Sequence, residues 1–93
     1  MKKVRAHAVI DGRVQGVCFR MDTKLAASGR NIKGWVRNMR DGRVEAVFEG
    51  EENDVKSMLK WCEAGPPLAR VNKVAVEWEP HTGQFDAFEI TFA

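Results

Sequence analysis

Lys3-Val4-Arg5-Ala6-His7-Ala8-Val9-Ile10-Asp11, running directly into Gly12-Arg13-Val14-Gln15-Gly16-Val17-Cys18-Phe19-Arg20, is the stretch that decides the architecture. Val4, Ala6, Ala8 and Ile10 alternate with Lys3, Arg5 and His7, which predicts a strand with one face on a core. Two glycines four apart are too flexible to continue that strand, and Val14 and Val17 are too apolar for a solvated linker, so a tight structured loop follows. From about Phe19 to Ser28 a helix is expected. Met21 and Leu25 stack at i and i+4 beside Ala26 and Ala27, and Gly29 to Asn31 offers residues that tolerate left-handed geometry for the stop.

Outward from this stretch, Trp35-Val36 and Val44-Glu45-Ala46-Val47-Phe48-Glu49 read as two strands, joined by the hairpin signal Asp41-Gly42. Val55, Met58, Leu59 and Cys62 fall at i, i+3, i+4 and i+7 of a second helix. Glu51, Glu52 and Asp54 at its start favour the helix dipole, and Gly65-Pro66-Pro67 ends it. Val74, Val76 and Trp78 alternate with Lys73, Ala75 and Glu77, and Phe85 to Phe92 forms a last short strand after the Pro80 to Gly83 turn. The order β-α-β-β-α-β predicts a ferredoxin-like α+β fold, an antiparallel sheet with two helices on one face. With 93 residues, 44% of them apolar, residues 1–93 are expected to form a single domain.

Composition removes several classes of function. Fifteen Lys+Arg against 13 Asp+Glu leave a charge of +2, spread along the chain and far from the concentrated field that nucleic-acid binding by counterion release requires. Arg43 to Gly50 holds a single aromatic, Phe48, where an RNA-recognition strand would carry several. The apolar stretch after Met1-Lys2-Lys3 is broken by His7 and Asp11, and no segment is long enough to span a bilayer. A cytoplasmic monomer with neither nucleic-acid nor membrane partners is therefore expected. His7, Cys18, Cys62 and His81 fall one per element, which offers no metal-ligand spacing, and Val17-Cys18 stand where a Walker A loop needs Lys and then Ser or Thr. Neither metal nor cofactor is expected. Spacing alone does not decide whether Cys18 and Cys62 pair, and a reducing cytosol favours free thiols.

The loop leading from strand to helix is what remains for chemistry. Backbone N–H groups at such a junction point outwards, and with the helix dipole they form an anion-binding concavity. The planar fork of Arg20 suits two phosphoryl oxygens. Taken alone, the same residues would equally make a plain turn followed by a solvated arginine.

Gly12 to Arg20, with Gly34-Trp35-Val36-Arg37-Asn38 and Asp41-Gly42-Arg43-Val44-Glu45, resembles the acylphosphatase family, and the resemblance continues through Gly65-Pro66-Pro67-Leu68-Ala69-Arg70-Val71 and Trp78 to Phe88-Glu89-Ile90. It implies an enzyme that hydrolyses acyl phosphates to a carboxylate and inorganic phosphate without metal or cofactor. It also implies a main-chain phosphate cradle formed by Val14, Gln15, Gly16, Val17, Cys18 and Phe19, a phosphoryl group bound by Arg20, and an attacking water oriented by Asn38. Met21 and Asp22 stand where the family often has an aromatic residue at one or both positions. The chemistry agrees, because an acyl phosphate expels a carboxylate whose conjugate acid has a pKa of about 4 and needs no general acid. A loose phosphoryl-transfer transition state asks little of a base, so positioning and electrostatics suffice. A module that merely holds an anion in the same cradle is the rival, and phosphate release from acetyl phosphate separates the two.

Overall fold

The computed structural model describes Lys2 to Phe92, and in it the alternating N-terminal stretch forms a long strand, β1 (Lys3–Arg13). After it come α1 (Phe19–Gly29), β2 (Lys33–Asn38), β3 (Val44–Glu51), α2 (Glu52–Ala64), β4 (Arg70–Glu79) and β5 (Phe88–Ile90). The strands lie in the order β4-β1-β3-β2-β5, so the first strand of the chain sits inside the sheet and pairs on both sides. Ala8 faces Ala46 of β3 and Val76 of β4 in antiparallel register. Val4, Ala6, Ala8 and Ile10 are buried, as their period of two dictates. The alanines leave room for α2, which lays Val55, Met58 and Cys62 on them. Phe48 and Phe88 stack with ring centroids 5.6 Å apart beneath α1, each contributing on the order of 1.5–3 kcal/mol of burial.

Two expectations need correction. The helix after the loop forms and buries Ala27 as expected, but Met21 and Leu25 are 54% and 64% exposed, and Phe19 and Thr23 are buried in their place. Thr23 and Ala27 on that face are small and admit the helix close to the sheet, and Thr23 hides its hydroxyl by donating to the Phe19 carbonyl at 2.7 Å. The helix stop is as expected. Asn31 takes φ +57°, and the Ile32 and Asn31 amides return to the carbonyls of Ala27 and Ser28.

The second correction concerns the sheet, which is not wholly antiparallel. The last strand is short, and it pairs with β2 in parallel, Val36 opposite Ile90. Glu79, which ends β4, and Lys33, which opens β2, lie at the same end of the sheet. The chain crosses that end and must then run in the direction of β2. Glu49 holds the crossing. Its carboxylate is 3% exposed and accepts from the Thr82 amide (2.9 Å), the Thr82 hydroxyl (2.8 Å), the Gly83 amide (3.1 Å) and Arg5 Nη1 (3.2 Å). Burial pushes the carboxyl upward, but these donors outweigh it and hold it below the ordinary glutamate range.

A depressed folded value means stability that is present above the unfolded value and lost as pH falls through the folded one. Glu49→Gln is expected to destabilise the protein by about 2–3 kcal/mol at neutral pH, since the amide turns donors against donors. The gap in denaturant midpoint between parent and variant should close as pH drops below about 4.5, the ordinary value of a glutamate. A gap independent of pH from 7 to 3 would show that the carboxylate charge does not hold the crossing.

Candidate active site

Where β1 leaves the sheet, its pairing with β4 shifts register between Asp11 and Gly12. Gly12 takes φ +136° there, and a Cβ would overlap the Arg70 carbonyl, so only glycine fits. The loop then turns over Val14 and Val17, both buried, which pin it to the core and leave the backbone between them outside. Gly16 (φ +74°) and Cys18 (φ +64°) both adopt left-handed geometry. For Cys18 that conformation costs on the order of 1–2 kcal/mol, tolerated where the surroundings enforce it. Such alternation aims successive amides into one concavity. Among the described residues, no protein acceptor takes up the amides of Gln15, Gly16, Val17 or Cys18. Cys18 is also the N-cap of α1 and makes no side-chain capping bond, so the first amides of the helix stay open towards the same concavity.

Arg20 stands in the first turn of that helix. Among the described residues it has no carboxylate partner, and its guanidinium lies over the Phe92 ring, 5.7 Å from the centroid. A cation–π contact of this kind uses the charge of the guanidinium and not its N–H donors, which leaves the fork for a ligand. Phe19 next to it is buried edge-on against Trp61, with centroids 5.8 Å apart, which fixes the start of the helix.

Asn38 ends β2, opposite Val44. The turn beyond it closes through Met39 N–H to the Arg43 carbonyl (2.8 Å), and Arg43 grips Asp41 at 2.6 Å. Gln15 reaches across from the loop and donates to the carbonyls of Met39 (2.7 Å) and Arg43 (3.0 Å), tying loop to hairpin beside Asn38. The outcome is a cavity of about 490 Å³ walled by Val14, Gly16, Cys18, Phe19, Arg20 and Asn38 from the expected set, together with Met21, Ile90 and Phe92.

The acylphosphatase family profile matches residues 6–90. An acylphosphatase of Pelotomaculum thermopropionicum (strain DSM 13744 / JCM 10971 / SI) is 48% identical over 99% of this chain and 100% of its own length. One from Syntrophobacter fumaroxidans (strain DSM 10017 / MPOB) is 54% identical over 99% and 95%. The chain belongs to the acylphosphatase family. Among solved structures, the Bacillus subtilis acylphosphatase superimposes with a TM-score of 0.91 at 35% identity, covering 95% of this chain and 98% of that one. The acylphosphatase from Coxiella burnetii also gives 0.91, at 31% identity and coverage of 96% and 93%.

Set against the acylphosphatase motif, Gln15 and Val17 lie outside the cavity wall: Val17 is buried beneath it, and the Gln15 side chain is spent on the hairpin. Only their main-chain groups remain for an anion. Met21, Ile90 and Phe92 were missed. Met21 was hidden by its assignment to the buried helix stripe, and the other two reach the cavity only because β5 lies beside β2. Both cysteines are free thiols; burial pushes Cys62 up to about 12, whereas Cys18 is exposed. Among the described residues one group of potential metal ligands comes together, His7, Glu77 and Glu79, with donor atoms within 4.8 Å. It lies on β1 and the end of β4, on the helix-free face, where Glu45 already binds His7 at 2.7 Å and Arg5 binds Glu79 at 2.8 Å.

Proposed function

We propose that Arg20 and the main-chain groups from Val14 to Phe19 hold the phosphoryl group, while Asn38 orients the attacking water. The activity follows from family membership: hydrolysis of the carboxyl–phosphate bond of acyl phosphates, giving a carboxylate and inorganic phosphate. What supports these roles is one observation, that a guanidinium without a carboxylate partner among the described residues, a loop of outward amides and the Asn38 carboxamide wall a single cavity. The amides and guanidinium meet the charge of the equatorial oxygens, which is where a loose transition state gathers it. Asn38 is neutral, so its carbonyl can hold a water beside phosphate without the repulsion a carboxylate would bring. The water proton passes to the phosphate or to bulk water. The carboxylate leaves unprotonated.

One family profile matches residues 6–90, which supports a single domain across residues 1–93, and we propose that it acts as a monomer. An exposed thiol at Cys18 in the cavity wall fits a reducing cytoplasm. No helix among the described residues is long and apolar enough to cross a membrane.

Leaving groups test the mechanism. Acetyl phosphate should be hydrolysed, and an alkyl monoester such as glycerol phosphate should react roughly a thousandfold more slowly, because its alkoxide needs a general acid that the cavity does not supply. Dialysis against EDTA should leave the acetyl phosphate rate unchanged. Comparable rates on the two substrates, or a loss on EDTA restored by Mg²⁺, would count against the scheme.

A further inference from the structure

The cavity holds more than a phosphate requires. Beyond the cradle, its wall continues over three apolar side chains: Met21 from α1, and Ile90 and Phe92 from the C-terminal stretch, of which Phe92 also lies beside the Arg20 guanidinium. Met21 is 54% and Phe92 78% exposed. What sets them apart from Leu25, Leu68 and Trp78, which are exposed to a similar degree, is that they wall the same cavity as the anion cradle. The charged residue in the wall is Arg20, whose fork is committed to the phosphoryl group. Among the described residues, no carboxylate and no second cation lines this cavity to receive a charged tail.

We propose that Met21, Ile90 and Phe92 form the subsite for the acyl group and select acyl phosphates with uncharged, apolar chains. The assignment rests on the phosphoryl group being held by Arg20 and the loop. With the phosphoryl group in the cradle, the bridging anhydride oxygen would stand at its edge, and the acyl carbons then have this wall to lie on. Each methylene taken from water there should raise kcat/KM roughly threefold to fourfold. A terminal carboxylate would lose its hydration against Met21 and Phe92 with no partner to replace it.

The test is a series of acetyl, propionyl, butyryl and succinyl phosphates, whose saturated chains keep the leaving groups of similar basicity, with inorganic phosphate as competitive inhibitor. In the parent enzyme kcat/KM should rise about tenfold from acetyl to butyryl, and succinyl should fall well below butyryl. Met21→Gln keeps helix propensity at an exposed position and should flatten the rise, with phosphate inhibition near the parent value. Phe92→Leu, which stays apolar, should keep the slope, and Phe92→Ser should weaken it. A flat series in a parent enzyme that turns over and is inhibited by phosphate overturns the acyl subsite alone, as does a slope unchanged in both Met21→Gln and Phe92→Ser. An enzyme that phosphate does not inhibit and that is inactive on the whole series would overturn both this assignment and the roles of Arg20 and the loop.

Discussion

Arg20→Lys is expected to lower kcat/KM for acetyl phosphate by roughly a hundredfold to a thousandfold, with the inhibition constant of inorganic phosphate weakening alongside it. Charge is conserved in this variant, so any loss reports geometry. The guanidinium lies 5.7 Å from the centroid of the Phe92 ring and offers a planar pair of donors, whereas an ammonium is a point charge on a flexible stem that cannot match two oxygens at once. Lysine is as good a helix former as arginine, and position 20 makes no ion pair among the described residues, so the fold should be indifferent to the change. Circular dichroism and the urea midpoint should match the parent. Near-normal phosphate inhibition in Arg20→Lys would remove the arginine from the cradle.

How much of this was legible in the sequence depends on the range over which each feature is decided. The period of two from Val4 to Ile10 is local, and so is the Asp41-Gly42 turn, so strand and hairpin could be read directly. The left-handed stop at Asn31 was legible for the same reason, since the tolerance belongs to one residue. The buried face of α1 was not. Thr23 looks less apolar than Met21 and Leu25, and what favours it, beside the small Ala27, is the close approach of the helix to the sheet, which hydrophobicity alone does not encode. The partners of Glu49, Thr82 and Gly83, are more than thirty residues away, so its burial and the crossing it holds had no local sign. The direction of β5 follows from that crossing.

The same division holds within the site. The spacing of Gly12 and Gly16 before Arg20 marked the loop, and the family resemblance marked Asn38, whose polarity alone would have passed for an ordinary strand end. Neither revealed that the Gln15 side chain bonds two carbonyls of the hairpin and so sets the distance between cradle and Asn38. Ile90 and Phe92 entered the cavity through sheet topology. A local signal thus marked the loop before Arg20, the family resemblance marked Asn38, and long-range packing placed the residues that wall the remainder of the cavity.

Asn38→Ala separates the two roles. If Asn38 orients the water and does not anchor the phosphoryl group, its loss should lower kcat by roughly a hundredfold, on the scale of one positioning contact, while phosphate inhibition persists. The side chain is half-buried at the end of β2, and its backbone pairing with Val44 does not depend on it, so folding should survive. Asn38→Asp should not restore the rate, although it adds a potential base. A carboxylate within a few ångströms of a phosphoryl dianion is repelled more strongly than proton acceptance can offset when the transition state is loose and the nucleophile is little deprotonated. Asn38→Asp should therefore show poorer phosphate inhibition than Asn38→Ala, and the deficit should shrink in high salt as the repulsion is screened. Steady-state kinetics of both variants, with phosphate as competitive inhibitor at two ionic strengths, distinguishes these outcomes. A rate in Asn38→Ala equal to that of the parent, or phosphate binding lost in step with kcat, would take the water away from Asn38.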